Sequence, residues 1–248
     1  MSTLGKFYGI GVGPGEPGMI SVAAWEQLKR CEVIYVPRAR SMEHSVARQC
    51  LPTQEIPAER FREIEFNMDP DRGVLTEHYA SLATTIAADL KSGRDVAYLT
   101  IGDALTFSTY SYTLFALQDL LPEVAVRTFP GITSYCALAA ATDFSLGEAK
   151  ETLLILPCPE ELSHLAAAIQ DHDIVVLMKI GKRLHGVLSL LRKMGIEEHC
   201  VFGRRVGLPD QSVCTDLTQL EASESNGYLS TMLIRKTPLT QRHRKVLS

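Results

Sequence analysis

Apolar residues fall along this chain in two alternating rhythms. Residues 4–11 mix aromatic and β-favouring side chains and run into glycines, which predicts a strand entering a tight turn. A helix over residues 22–30 follows, with Ser21 as its cap, Trp25 and Leu28 on one face, and Lys29 and Arg30 at its negative C-terminal end. The run EVIYV at 32–36 then predicts a buried strand that Pro37 stops, and a strand–helix–strand unit of this kind implies parallel pairing. The rhythm repeats. Leu75, Tyr79, Leu82, Ile86 and Leu90 recur every three or four residues and predict a helix over 74–91, ahead of a strand at 95–100. Helices at 107–120 and 133–141 are expected on either side of a strand at 124–129.

A second alternation then begins. Strands at 152–156, 174–178 and 200–203 alternate with helices at 160–170 and 182–194, and residues 228–234 close as a last strand. The predicted class is α/β, built as two α/β domains. No low-complexity linker or solenoid-length repeat separates the halves, so the domains meet directly near Pro130 and Gly131. This gives an N-terminal domain over 1–130, a C-terminal domain over 131–236 and a basic, solvated tail over 237–248.

Composition narrows the function. With 46% hydrophobic residues among 248, the chain can bury a sizeable core. Its apolar runs are far shorter than a membrane span, and its first residues lack the pattern of a secretory leader, so a cytoplasmic protein is expected. Cys31, Cys50, Cys136, Cys158, Cys200 and Cys214 form no CxxC pair and read as reduced thiols. The histidines show no HExxH, so no protein-built metal site is expected. A formal net charge of −4 lacks the basic surface that nucleic acid requires, which leaves a small molecule as the expected ligand.

Three strand-end turns carry the candidate chemistry. The first contains a GxGxxG match at Gly13, Gly15 and Gly18. A dinucleotide fold would place the third glycine in the opening helix and an acidic residue at the end of the second strand. Here Pro17 and Gly18 delay the helix and the second strand ends in Val36, Pro37 and Arg38, which disfavours a nicotinamide enzyme. Glycines at this place still let a ligand approach the backbone closely, with a plain tight turn as the competing reading. The second turn, IGDALTFSTYSY at 101–112, puts Gly102 and Asp103 at a strand's C-terminal end, where ligands of open α/β sheets bind. Asp103 there either accepts hydrogen bonds from a ligand or caps the next helix. The third, FPGITS at 129–134, offers Thr133 and Ser134 as ligand groups or as an N-cap. A pocket in this architecture is assembled from several such turns.

The segments VGPGEPGMIS, YLTIGDALTFSTYSY, FPGITS, VVLMKIG and GRRVGLPDQ, in this order and spacing, resemble the successive signatures of the tetrapyrrole methylases over residues 6–235. The resemblance implies two α/β domains with S-adenosyl-L-methionine in the cleft between them, and a homodimer. Carried onto this sequence, it puts Pro14, Gly102, Asp103, Thr106, Thr133 and Ser134 beside the cofactor, with Met178 and Val206 on its adenosine side. The run STYSY at 108–112 resembles the branch that methylates C20 of precorrin-2 or its cobalt form. The family usually has proline after the GD pair, where this chain has Ala104.

Arg38, Arg40, Arg204 and Arg205 are candidates for the carboxylates of such a substrate, because guanidinium forks match them; solvated surface positions are the plainer alternative. The implied reaction is attack of an electron-rich meso carbon on the sulfonium methyl, with the protein supplying alignment and exclusion of water. No residue is identified from sequence for removing the C20 proton. The alternatives that stay open are methylation elsewhere on a tetrapyrrole, such as C2 and C7 of uroporphyrinogen, methylation of a protein as in diphthamide synthesis, and a non-catalytic tetrapyrrole carrier.

Overall fold

A computed structural model of the chain describes residues 3–39, 45–52, 55–66, 72–223 and 227–238. Arg40 and residues 239–248 of the expected tail lie outside them. The chain divides into two compact units, Met1–Thr133 and Ser134–Ser248.

The first unit runs β1 (Phe7–Gly11), α1 (Val22–Leu28), β2 (Val33–Ala39), α2 (Val46–Gln49), β3 (Phe61–Phe66), α3 (Arg72–Lys91), β4 (Val96–Thr100), α4 (Tyr110–Leu120) and β5 (Val126–Phe129). Its sheet is parallel throughout and ordered β3-β2-β4-β1-β5. Ser21 caps α1 as expected, its Oγ accepting from the Ala24 N–H at 3.2 Å. The apolar stripe of α3 is buried too: Tyr79, Leu82, Ile86 and Leu90 pack with Phe7, Tyr35, Tyr98 and Tyr110.

Two expectations need correction. Pro37 does not stop β2, which continues to Ala39. The strand pairs with β4 only as far as Tyr35 and thereafter with β3 alone, and a residue without an N–H is tolerated where one side of a strand has no ladder to supply. And β1 and β2, though parallel, are not neighbours, because β4 lies between them.

The second unit runs α5 (Ser134–Ala141), β6 (Leu153–Pro157), α6 (Leu162–Asp171), β7 (Ile174–Met178), α7 (Leu184–Met194), β8 (Cys200–Arg204), β9 (Ser212–Cys214) and β10 (Ser230–Arg235). The sheet is ordered β6-β7-β10-β8-β9. β6 and β7 are parallel, and β10 is antiparallel to both β7 and β8. It follows that the ends of β6, β7 and β8 and the start of β10 share one edge. Leu165, Val175, Leu177, Leu184, Val187, Leu191, Phe202 and Ile234 form the core. At the far end of β10 the buried guanidinium of Arg235 forks onto buried Glu151, with both N–O distances at 2.9 Å.

All six cysteines are free thiols. Burial pushes Cys31, Cys50 and Cys200 up to about 12, which removes them as nucleophiles at neutral pH. Among the described residues no His, Cys, Asp and Glu side chains gather into a metal-binding group, and no helix is long and apolar enough to cross a membrane.

Candidate functional site

Because β4, β1 and β5 are parallel neighbours, the turns that follow them emerge together at one edge of the first sheet. There they interlock through their main chains. The Val12 N–H donates to the Thr100 carbonyl at 2.9 Å, and Gly13 and Gly102 exchange N–H···O bonds of 3.2 and 2.6 Å. A Cβ on Gly131 would stand 2.0 Å from the Gly102 carbonyl oxygen and 2.8 Å from the Gly11 carbonyl carbon. Only glycine lets the third turn lie against the other two. Sequence reading did not single out Gly11 and Gly131 as packing positions, although glycine at three strand ends was the available signal.

Asp103 ties the arrangement with its side chain. Its Oδ2 accepts from the Gly131 N–H at 3.0 Å, while Oδ1 accepts from the Leu105 N–H and the Thr106 hydroxyl, both at 2.9 Å. Burial works against its negative charge, yet the donors from Gly131, Leu105 and Thr106 outweigh that and hold the carboxyl below its ordinary value. The carboxylate therefore clamps the second turn to the third. It does not cap the following helix: α4 begins at Tyr110, whose N–H goes to Ser108 Oγ at 3.0 Å.

Pro14 and Thr133 are buried in the same unit. The helix expected from residue 133 starts at Ser134, in the second unit, and the Ser134 hydroxyl lies 3.0 Å from Thr231 Oγ1 on β10. Thr231 pairs with Met178 on one side and Gly203 on the other, and a Cβ on Gly203 would stand 2.6 Å from Val206 Cγ2. Ser134, Met178 and Val206 thus gather around one register row of the second sheet. Thr231, which sequence reading did not mark, is the residue that joins them.

The arginines divide. Arg38, at the end of β2, is half-buried with Nε 3.2 Å from Glu63 Oε2. Arg205 Nε donates to Asp210 Oδ1 at 2.7 Å, and that bond holds Asp210 below its ordinary value. Arg204 Nη2 reaches the Asp210 carbonyl at 3.4 Å, while its Nε is buried without a hydrogen-bond partner among the described residues.

Residues 6–221 match the family model described as Tetrapyrrole (Corrin/Porphyrin) Methylases. A cobalt-precorrin-2 C(20)-methyltransferase of Salmonella typhimurium is 29% identical over 236 residues, covering 94% of this chain and 97% of that one. Among solved structures, a cobalt precorrin-4 methyltransferase superposes with a TM-score of 0.69 at 20% identity, covering 94% of this chain and 96% of the other. The uroporphyrin-III C-methyltransferase of Thermus thermophilus, complexed with S-adenosyl homocysteine, gives 0.59 at 16% identity, covering 96% of this chain and all of the other. These two likenesses show the fold.

Proposed function

The chain belongs to the tetrapyrrole methylases, and from that premise we propose that it transfers the methyl group of S-adenosyl-L-methionine to C20 of precorrin-2 or its cobalt complex, as a homodimer in the cytoplasm. The observation that carries this reading is the Salmonella relative, which is similar over nearly the whole of both chains and whose name specifies that substrate and carbon.

The residues present fit the cofactor. The three interlocked turns of the first unit offer main-chain donors and acceptors beside glycines, and Met178 with Val206 offers an apolar wall in the second. Pro14, Gly102, Asp103, Thr106 and Thr133, together with Ser134, Met178 and Val206, would hold it. Asp103 also fixes the turns, its oxygens accepting from the Leu105 and Gly131 N–H groups with acceptor capacity left over. When bound, the cofactor supplies an electrophilic methyl group. What the chain adds is alignment of the attacking carbon and exclusion of water. Arg38, Arg40, Arg204 and Arg205 draw in the substrate's carboxylates.

Incubating the purified chain with methyl-labelled S-adenosylmethionine and precorrin-2, with and without cobalt, and mapping the labelled carbon tests this reading. Label at C20 is expected. Label at C2 and C7 of uroporphyrinogen, with none at C20, would overturn it.

A further inference from the structure

Three consecutive hydroxyl side chains stand where the turn after β4 enters α4, and each is tied to a different part of the first unit. Ser108 Oγ donates to the Ala104 carbonyl at 2.5 Å and accepts from the Tyr110 N–H at 3.0 Å. Thr109 Oγ1 lies 3.0 Å from the Tyr98 hydroxyl on β4, and the Tyr110 hydroxyl lies 2.8 Å from Thr128 Oγ1 on β5. The Tyr110 ring is fully buried against β1, where a Cβ on Gly9 would stand 2.1 Å from its Cζ. One short run thus anchors the start of α4 to β4, β1 and β5, the three adjacent strands whose end turns interlock.

The turn that this run closes is shaped against its own preference. Phe107 sits in left-handed backbone at φ 53°, with a side chain 45% exposed, and Leu105 beside it is 56% exposed. Exposed side chains do not fix a turn by burial, and left-handed backbone at a residue with a Cβ costs energy that surrounding bonds must offset. Asp103 secures the front of the turn through the Gly131 and Leu105 N–H groups and the Thr106 hydroxyl. Ser108 secures the back. Its bond to the carbonyl four residues earlier closes a loop around Leu105, Thr106 and Phe107, and the closing point, buried Ala104, adjoins Asp103.

The helix itself has other support. Thr113 and Leu117 bury the inner face of α4, and Leu117 belongs to the core of the first unit. The bonds of the three hydroxyls go instead to the turn and to the strands from which the interlocked turns emerge.

We propose that Ser108, Thr109 and Tyr110 are positioning residues of the methyl-transfer site, holding the turn after β4 in the one conformation that presents Gly102, Asp103 and Thr106 to the cofactor. A turn fixed before binding spends none of the binding energy on ordering itself, and it aligns the ligand it holds. This inference rests on the cofactor assignment made above and adds residues that act through the turn.

The test is calorimetric titration of the full chain with S-adenosylhomocysteine, beside its denaturant unfolding midpoint. Ser108→Ala is expected to weaken binding roughly fivefold, the equivalent of one net hydrogen bond, and Ser108→Thr to restore it. Tyr110→Phe, whose ring keeps its place over Gly9, should weaken binding roughly twofold. In turnover, Ser108→Ala should raise the KM for S-adenosylmethionine and leave that for the tetrapyrrole unchanged. Amide exchange at Leu105 and Gly131, whose N–H groups go to Asp103, should quicken in the same variant. Leu117→Val supplies the comparison: it loosens the core under α4 and should lower the midpoint while leaving affinity at the wild-type value. Equal affinity in Ser108→Ala and wild type overturns the proposal, as does an equal loss in Leu117→Val, which would make the run a matter of fold stability alone. A wild-type chain that binds no S-adenosylhomocysteine overturns the cofactor assignment and the positioning role together. Weakened binding by Ser108→Ala, in a chain that labels a carbon other than C20, keeps the positioning role and overturns only the reaction.

Discussion

At the edge of the first sheet the groups that meet are main-chain atoms: Gly11, Gly102 and Gly131 pack backbone on backbone, and a single carboxylate, Asp103, ties the turns. At the edge of the second sheet the turns also meet through their main chains, the Arg205 N–H donating to the Leu229 carbonyl at 2.9 Å, but Lys179, Arg205 and Leu229 hold the left-handed positions that Gly13 and Gly102 hold at the first. At Gly11 and Gly131 the first edge has no room for an added atom, so its fidelity there is steric. The second is as tight at Gly227, where a Cβ would stand 1.9 Å from the Gly181 carbonyl oxygen.

Substitution separates the two edges. The largest effect is expected for Gly131→Ala, whose Cβ meets backbone on two sides. Overpacking against groups that cannot rotate away should cost roughly 3 kcal/mol in denaturant unfolding and abolish cofactor binding by calorimetry. A wild-type unfolding midpoint would show that the turns are independent. Next comes Asp103→Asn, which points an amide donor or one acceptor too few at Gly131 and Leu105 and should cost about 1.5–3 kcal/mol.

Asp103 also sets a pH signature. Its folded carboxyl lies below the ordinary value, so its stabilisation is fully present above the unfolded pKa and is lost as pH falls through the folded one. The melting-temperature gap between wild type and Asp103→Asn should stay constant above about pH 5 and close as pH drops below about 4. A gap that persisted into strong acid would mean that charge is not what ties the turns.

Smaller effects are expected from the second unit. Lys179→Gly relieves left-handed strain at the expense of chain entropy and should raise stability in denaturant unfolding by roughly 0.5 kcal/mol. An unchanged or lower unfolding midpoint would show that the turn after β7 is not strained. Gly147→Ala, where a Cβ meets open space at ordinary φ, should change stability by less than about 0.5 kcal/mol, which makes it the control for Gly131→Ala.

Periodicity revealed most strands and helices because burial imposes it. Where burial is partial the signal fails: β3, FREIEF, is a charged edge strand, and β9 has only three residues. The insertion of β4 between β1 and β2 is a long-range choice that leaves no local trace. For the site, the strand-end turns were visible one at a time, whereas their mutual packing joins residues as far apart in sequence as Gly11 and Gly131. Lys179, Arg205 and Leu229 carried no sign of left-handed backbone, because that sign is ordinarily glycine.

The interlocking of the turns after β1, β4 and β5 bears on how such a protein can diversify. Lengthening any one of them would tear the paired Gly13 and Gly102 bonds or drive a side chain into a neighbour's carbonyl. Insertions therefore have to settle elsewhere on the molecule, and transplanting one turn from a relative should fail where transplanting all three succeeds. In heredity the trio behaves as a single character, written in three widely separated stretches of sequence.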